Sequence, residues 1–280
     1  MDGAFARIIA DSLRFEYLDS GVTQLDHAHT TGWRVLPGMM CSQIYHGEDR
    51  MLLEGNVVIP VPAGSLMLLA AGIPHCINML APSGLSRWAH VNYYIHHHLD
   101  LFSLLDVPPV APPALGHAVG EAIAEWVAED QREDVDALWL SARRQEFGFH
   151  LLGLLSRVCR LKPDAAERVE QRHRLRRVID YMHAHFRQPI ERDDLAKLAC
   201  LSPAQFHRTF HHVTGITPVA YLRQVRLRQA QQRLLTTTLS IADIAEQVGF
   251  TDLFVFSKSF KRHCGISPSE YRATLRELRG

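Results

Sequence analysis

Short apolar runs separated by glycine and proline dominate the first hundred residues. The runs at 41–45, 65–70 and 89–95 have the length of β-strands, and turn-forming residues lie between them. Several short strands at this spacing are typical of a small antiparallel barrel or sandwich. Prolines interrupt the pattern at 107–113, because proline neither donates to a strand ladder nor continues a helix. We therefore predict an all-β N-terminal domain over residues 1–112.

A helical pattern replaces the strands beyond residue 115. Apolar residues at helical spacing form one stripe, which either packs on the β domain or pairs with a second copy of the chain. The pattern alone leaves both alternatives open. We predict a helical packing or dimerisation region over 113–160, a linker over 161–170 and an all-α domain over 171–280. The residues of the stripe are Leu138, Ala142, Phe149, Leu152, Leu155 and Val158.

The all-α segment contains an internal repeat. Residues 208–223 align with residues 258–273 at a constant offset of fifty, so that Gly215 pairs with Gly265. An alanine-containing helix precedes each copy, and the offset slips by one in the turn that follows it. Each copy therefore predicts a helix, a short turn and a second helix, which is the arrangement of a helix-turn-helix unit. Further aligned pairs are Phe210 with Phe260, Pro218 with Pro268 and Tyr221 with Tyr271.

Local signals mark the second helix of each copy. In the first copy, Ser202 is a predicted N-cap before Pro203, and Gly215 ends the helix. In the second copy, Gly249 allows the turn and Asp252 is the predicted N-cap. The alanines of the first helix let the second helix cross it closely. The second helix can therefore protrude far enough to enter a DNA major groove.

The net charge of zero conceals two parts of opposite sign. Residues 171–280 carry 18 Lys and Arg against 9 Asp and Glu, a net charge of +9, and the other 170 residues carry −9. A basic C-terminal part indicates a polyanionic partner, although basic helices also occur as solvated faces. No apolar run is long enough to span a membrane, the N-terminus lacks a secretory core, and the five cysteines form no CxxC pair. These features predict a cytoplasmic protein without a membrane partner.

The exposed face of each second helix supplies the predicted DNA contacts. Arg208 and Lys258 can reach guanine acceptors or phosphates, and His207 and Ser257 can hydrogen-bond to base edges. The competing interpretation is a solvated surface on an ordinary helical bundle. Two copies together with the local charge favour DNA. The predicted DNA contacts are Ser202, Ala204, His207, Arg208, His211, Leu253, Phe254, Ser257, Lys258 and Lys261.

The second copy carries a set of residues close to a known signature: Ile241, Ala245, Gly249, Phe250, Phe260, Gly265, Pro268 and Tyr271. With these residues, the segment 171–276 resembles the AraC/XylS family of bacterial transcription regulators. The resemblance implies two helix-turn-helix units bridged by a long helix at about 218–235. Leu253, Phe254 and Val255 depart from it, because family members usually carry polar residues there. Apolar readout of bases and contact with another protein are both open for the second unit.

Three histidines in the N-terminal half raise the question of a metal. His27 and His29 follow a glycine at the spacing that opens the cupin metal motif, and His75 offers a third imidazole. Three imidazoles suit zinc or iron. However, the glutamate expected beyond His29 is missing, since Trp33 and Arg34 stand in that region. We therefore predict no metal or other cofactor, and we interpret the histidines as pocket or core residues.

Two segments of the N-terminal half, 62–75 and 88–93, resemble the cupin-like barrel that precedes the DNA-binding domain in many AraC-type regulators. The resemblance implies a pocket in which aromatic and histidine side chains bind a small polar effector, such as a sugar. The competing interpretation is that these side chains form the core of the barrel. The predicted effector contacts are His27, His29, Trp33, Tyr45, His46, His75, Trp88, His90 and Tyr93.

Together these features predict a multidomain chain, with an N-terminal all-β cupin-like barrel followed by helices and a C-terminal all-α domain with two helix-turn-helix units. The predicted function is a non-enzymatic, sequence-specific transcription regulator. It would bind double-stranded DNA, respond to a small effector and form a homodimer, with RNA polymerase as a further candidate partner. Two alternatives stay open: a metal-dependent cupin enzyme fused to a DNA-binding domain, and a regulator that a protein partner controls.

Overall fold

The computed structural model describes residues 3–25, 28–45, 49–81, 83–95 and 99–277. Strands fill the N-terminal region and helices fill the C-terminal region, as the hydrophobic pattern predicted. The strands are β1 (Arg14–Leu25), β2 (His29–Thr30), β3 (Met39–Ile44), β4 (Asp49–Leu53), β5 (Val57–Val61), β6 (Leu66–Leu69), β7 (His75–Met79), β8 (Gly84–Ile95), β9 (Leu99–Asp100), β10 (Leu105–Asp106), β11 (Val110–Ala111) and β12 (Arg160–Leu161). The helices are α1 (Gly3–Ser12), α2 (Pro113–Asp130), α3 (Ala137–Leu155), α4 (Ala165–Arg174), α5 (Arg176–Ala184), α6 (Arg192–Leu198), α7 (Pro203–Thr214), α8 (Pro218–Thr236), α9 (Ile241–Gln247), α10 (Leu253–Cys264) and α11 (Pro268–Glu277). None of the described helices is both long and apolar enough to cross a membrane.

Two large antiparallel sheets form most of the N-terminal region. The first has the order β1-β8-β3-β6-β11, with β9 paired to β8, and the second has the order β2-β7-β4-β5. The inner faces of the two sheets pack on each other through apolar side chains such as Met40 and Met67 from the first sheet and Met51 and Met79 from the second. Among the described strands, none pairs with both sheets. The predicted barrel is therefore not closed, and the region is an open sandwich.

Helices α2 and α3 cover the outer face of the first sheet. On β8, Ala89, Val91 and Tyr93 point to these helices, because alternate residues of a strand face opposite sides. Leu151 and Leu155 of α3 are fully buried in the same hydrophobic cluster. The sheet therefore has apolar cover on both faces.

The predicted linker, 161–170, is regular structure. Leu161 pairs with Leu105 in the two-stranded sheet of β10 and β12. Helix α4 begins at Ala165, and both Ala165 and Val169 are buried in the core of the N-terminal region. The segment predicted to separate the two regions instead belongs in part to the first of them.

Helix α4 contacts both regions. In its first half, Arg168 Nη1 donates to the carbonyl oxygen of Ser103 at 3.0 Å. In its second half, Arg172 Nη2 donates to the Tyr221 hydroxyl at 3.2 Å, on the long helix α8. Helix α4 therefore connects the sandwich to the C-terminal helices through hydrogen bonds to both.

Helix α8 packs directly on the sandwich. Gln231 Nε2 donates to the carbonyl oxygen of Val35 at 3.2 Å, and Gln232 Nε2 donates to Glu16 Oε1 at 3.3 Å. One hydrophobic cluster continues from the sandwich interior into the helical region. The two regions are thus joined by shared core as well as by polar contacts.

Asp49, at the start of β4, is an ionisable group inside the sandwich, with only 3% of its surface exposed. Burial raises the pKa of its carboxyl to about 7, and a backbone hydrogen bond from Leu80 opposes this shift only in part. Because the folded-state pKa lies above the ordinary value of 3.8, the unfolded chain ionises first as the pH rises. Stability therefore falls as the pH rises from about 4 to about 7.

Asp49→Asn is expected to gain stability over the wild type as the pH is raised from 5 to 8, because an amide does not ionise. One pKa unit corresponds to about 1.4 kcal/mol, so the difference should grow by roughly 2–3 kcal/mol over this range. Urea unfolding at both pH values measures it. Asp106→Asn, which removes an exposed carboxylate on β10, is the matched control. A difference that stays constant between pH 5 and pH 8 would contradict the raised pKa of Asp49.

Candidate nucleic-acid interface

Helices α6 and α7 form the first helix pair. Ser202 caps α7, since its hydroxyl accepts a hydrogen bond from Gln205 N at 3.4 Å and its own N–H donates to Gln205 Oε1 at 3.4 Å. Gly215 ends α7 with a φ of 76°. Phe206 and Phe210 are fully buried and hold α7 on the helical core. The predicted start and end of this helix are confirmed.

Helices α9 and α10 form the second helix pair. Asp252 caps α10, since one carboxylate oxygen accepts from Phe254 N at 2.7 Å and from Val255 N at 3.0 Å. The buried residues of α10 include Phe256 and Phe260, which correspond to Phe206 and Phe210 at the offset of fifty. The two helix pairs therefore bury equivalent faces.

The turns within the two pairs have the same backbone geometry. Cys200 has a φ of 56° and Gly249 a φ of 88°, so both lie in the left-handed region. After each, the next amide bonds back five residues, from Leu201 N to Ala196 O at 3.0 Å and from Phe250 N to Ala245 O at 2.9 Å. Cys200 and Gly249 are 49 positions apart, which matches the slip in the repeat.

Most of the predicted DNA contacts lie on the faces of α7 and α10 that point away from their buried phenylalanines, whereas Ser202 is the N-cap of α7 and Leu253 begins α10 three residues before Phe256. Among them His207 and Ser257 are half-buried. The ion pairs described for the C-terminal region use other cations, namely Arg176, Arg192 and Lys197. Within the described residues, Arg208 and Lys258 are thus left to bind an external anion. The exposed members are Ser202, Ala204, Arg208, His211, Leu253, Phe254, Lys258 and Lys261.

Arg226, in the middle of α8, has a structural position that its charge did not indicate. Its Nε donates to the carbonyl oxygen of Phe186 at 2.7 Å, and its Nη2 donates to that of Gln188 at 2.9 Å. Burial lowers the pKa of Arg226. The side chain therefore fastens the segment before α6 to the bridging helix and is not presented to a ligand.

Three of the predicted effector residues face the interior of the sandwich. His90 pairs in register with Met40, whose side chain lies in the interior, and the His90 ring lies 5.0 Å from that of Trp88. Trp88 Nε1 donates to Thr23 Oγ1 at 2.9 Å. His75 is also buried and lies on the inner face of β7. His75 and His90 are buried in the core, whereas Trp88 also lines an open cleft between β1 and α2.

His75 forms a buried pair with Arg34. Arg34 Nε donates to His75 Nε2 at 3.3 Å, and His75 Nδ1 lies 2.9 Å from the carbonyl oxygen of Ile73. Burial, reinforced by the positive charge of Arg34, lowers the pKa of His75 to about 4. His75 therefore stays neutral at physiological pH and can accept the hydrogen bond from Arg34.

The remaining predicted effector residues do not join this group. The structure corrects the predicted position of Tyr93. This residue lies on the outer face of the sheet, fully buried, and its hydroxyl donates to the carbonyl oxygen of Gly148 at 2.5 Å. Tyr45 also faces α2, with its ring 5.6 Å from that of His117. Trp33 is 46% exposed. His27 and His46 lie outside the described residues.

The described residues bring together no group of three side chains that could hold a metal ion. His29 is half-buried on the short strand β2, whereas His75 lies buried on the neighbouring β7. His27 lies outside the described residues.

A cleft of about 240 Å³ lies where the sandwich meets the C-terminal helices. Burial raises the pKa of Tyr94 well above its ordinary value, and the nearby carboxylate of Glu16 adds to the shift. Most of the lining is polar, with hydrogen-bonding groups from both regions. The lining residues are Arg14, Glu16, Leu18, Pro37, Asn92, Tyr94, His183, Val225, Arg228, Gln229 and Gln232.

The C-terminal helices resemble known proteins in sequence. Residues 195–274 match a family model described as a helix-turn-helix domain. The lactose operon transcription activator of Staphylococcus xylosus is 34% identical over 98 residues, which cover 35% of this chain and 35% of that protein. The transcriptional regulator AlkR of Acinetobacter baylyi is 41% identical over 91 residues, which cover 32% and 30%. The C-terminal region therefore contains a helix-turn-helix domain of the type found in AraC/XylS regulators.

The similarity to these AraC/XylS-type relatives is confined to one region, since the chain spans about a third of the length of the curated relatives it matches. A likeness in fold extends further. The structure of unsaturated fatty acid-bound ToxT from Vibrio cholerae covers 95% of this chain and 97% of its own, with a TM-score of 0.54 and 15% identity. The sandwich and the AraC/XylS-type helices are therefore arranged in a known two-part fold.

Two features of this chain escaped sequence reasoning. The role of Arg226 depends on carbonyl oxygens 38 and 40 positions away, and nothing in the local sequence separates it from its neighbouring arginines. The cleft is formed by residues from 14 to 232, so no single motif marks it. Both depend on how distant elements pack.

Proposed function

We propose that this chain is a non-enzymatic transcription regulator of the cytoplasm, which binds double-stranded DNA through two helix-turn-helix units. The units are the α6–α7 and α9–α10 helix pairs. One observation carries the proposal: equivalent faces of α7 and α10 are exposed at an offset of fifty, within a segment of net charge +9. Each face would enter a major groove, where side chains read base edges and lysine or arginine binds phosphate. The names of the relatives, a transcription activator and a transcriptional regulator, support this role.

Arg208→Ala is expected to weaken binding to a selected duplex by about 1–3 kcal/mol, or roughly 5–150-fold, if Arg208 contacts a base. The duplex would be selected by the full-length chain from a randomised pool, and affinity measured by fluorescence anisotropy. Wild-type affinity should fall steeply between 50 and 200 mM salt, because phosphate contacts release counterions. Arg132→Ala, which removes an exposed arginine outside the C-terminal region, is the charge-matched control.

The outcomes separate three cases. A loss confined to the selected sequence assigns Arg208 to a base, and an equal loss on all duplexes assigns it to a phosphate. Unchanged affinity on every duplex would remove Arg208 from the interface. A wild-type chain whose DNA affinity did not depend on salt would contradict the proposal as a whole.

For the effector, we propose the cleft between the sandwich and α8 as the binding site. The sandwich interior is filled with apolar side chains, whereas the cleft offers polar groups from both regions, including Arg14, Asn92 and Arg228. A ligand held by both regions binds their docked arrangement better than a separated one, which is what a switch requires. A sugar or similar polar metabolite suits this lining, and the fatty acid bound by ToxT is the competing class. A thermal-shift screen with both classes tests this site. If no compound of either class raises the unfolding midpoint, control by a protein partner is favoured.

A homodimer through α3 completes the proposal. Of the predicted apolar stripe, Leu155 is buried against the sheet, whereas Leu138 is 80% exposed and Phe149 is 44% exposed. The exposed residues are available to a second copy, so the two alternatives for the stripe would apply to different members of it. Sedimentation of the full-length chain and of a Leu138→Asp, Phe149→Asp variant would test this interface. RNA polymerase remains a candidate partner of the same regulator.

A further inference from the structure

The first turn of α10 exposes a compact apolar patch. Leu253 is 46% exposed, Phe254 is 75% exposed and Val255 is 50% exposed. Three consecutive large apolar side chains in water are unfavourable, since each buried CH₂ group is worth about 0.8 kcal/mol. Such a patch indicates a surface that a partner covers.

The helix geometry places Phe254 at the centre of the proposed reading face. Phe254, Ser257, Lys258 and Lys261 follow one another at helical spacing, so their side chains share one face of α10. The repeat superposes this face on the polar face of α7 around Arg208. Phe254 therefore occupies the position at which the end of a recognition helix meets base edges.

The N-cap of α10 limits phosphate binding by the backbone amides of this turn. The Asp252 carboxylate accepts hydrogen bonds from the N–H groups of Phe254 and Val255. Those two amides are therefore not available to a phosphate, which leaves the exposed side chains as the main contact surface of the first turn.

The composition of the face favours DNA over a protein partner. Lys258 and Lys261 continue the face directly from Phe254, and lysine is depleted in the buried centres of protein interfaces. The patch is also only one helical turn long, whereas a stable protein interface buries about 800 Å² on each partner. In a major groove, an apolar tip followed by cations fits a thymine methyl group beside the phosphate backbone.

We infer that α10 reads thymine methyl groups by apolar contact through Phe254 and Leu253, whereas α7 reads through polar side chains. This inference rests on the proposed function, because it assumes that α10 enters a major groove. On this inference, the apolar residues that replace the usual polar ones at the start of α10 give the second unit a preference for A·T pairs at defined positions.

Replacing thymine by deoxyuridine removes only the methyl group and so tests the contact directly. The full-length wild type first selects a site from a randomised duplex pool, and each thymine of that site is then replaced singly. At one or two positions, the wild type is expected to lose about fourfold in affinity, as for one buried methyl group. Phe254→Ala should bind the thymine and deoxyuridine duplexes equally at one of these positions, and Leu253→Ala is scored in the same way.

The controls use exposed residues of the same region. Val219, 62% exposed and also second in its helix, gives the matched variant Val219→Ala, which should keep the wild-type ratio. Arg208→Ala should weaken binding but also keep the ratio, because it acts through α7. The unfolding midpoint of Phe254→Ala should equal that of the wild type, since an exposed side chain adds little to stability.

Two results would overturn the inference while leaving the proposed function intact. One is a wild type that binds its site specifically but discriminates no thymine from deoxyuridine. The other is a discrimination that Phe254→Ala and Leu253→Ala both leave unchanged, which would make the patch a protein contact. If the wild type selects no duplex sequence at all, the proposed function fails first and this inference falls with it.

Discussion

Replacing Gly249 with alanine is expected to destabilise the chain by about 3 kcal/mol and to abolish specific DNA binding. Gly249 has a φ of 88°, a conformation that costs an L-residue about 1–2 kcal/mol. An alanine Cβ would also lie 2.8 Å from the carbonyl oxygen of Arg187 and 2.9 Å from that of Phe186. Both atoms belong to the backbone, so the turn itself must move. Because the turn sets the position of α10, its displacement would misalign the two helix pairs.

Gly265→Ala separates the two costs. Gly265 has a φ of 82°, but an alanine Cβ there would meet nothing within 4 Å. This control should lose only about 1–2 kcal/mol, the conformational part. Thermal or urea unfolding of the two variants compares them, and anisotropy measures DNA binding. Equal losses would show that the close approach to residues 186 and 187 contributes nothing.

The helical half could be predicted closely because its signals are local. Ser202 caps α7 and Asp252 caps α10, as the sequence predicts. Gly215 ends α7 in the left-handed conformation. Each of these signals acts within one helical turn, so neighbouring residues are sufficient to read it. The slip of one position was also visible, and the structure traces it to the turns at Cys200 and Gly249.

The positions of the predicted effector residues were harder to read, partly for a reason that the sequence contained. The prediction places Tyr93 in one pocket with Trp88 and His90, yet residues an odd number apart on one strand face opposite sides of a sheet. Tyr93 accordingly lies against α3, whereas His90 lies in the sandwich interior. Strand parity would have separated them. It would not have shown that the sandwich is open, because closure depends on how distant strands pair.

The segment between the two regions shows why domain boundaries are harder to predict than helices. Half of the residues in 161–170 are charged and one is proline, which is typical of a linker. Their order comes from contacts with distant residues, such as that of Lys162 Nζ with the carbonyl oxygen of Ser103 at 3.1 Å. Since α4 contacts the sandwich and α8, a change in the sandwich can reach the helices that we propose to face DNA through ordered structure. This coupling needs no flexible connection.

The packing of α2 on the sandwich leads to a second large expected effect. Gly116 of α2 lies so close to the turn before β6 that an alanine Cβ would overlap the carbonyl oxygen of Gly64 and lie 3.0 Å from the carbonyl carbon of Ser65. Backbone atoms cannot rotate away as a side chain does, so α2 would have to lift from the first sheet. Gly116→Ala is therefore expected to cost about 3 kcal/mol or more of unfolding free energy.

Gly153→Ala tests whether the close approach, and not the loss of a glycine, causes that effect. Gly153 lies inside α3, exposed, and an alanine Cβ there would meet nothing within 4 Å. Alanine is favoured over glycine in a helix by about 1 kcal/mol, so this variant should be more stable than the wild type. Urea unfolding should move the two midpoints in opposite directions. The close packing of α2 on the sheet also buries Leu115 and Val119. A Gly116→Ala variant as stable as the wild type would contradict this close packing.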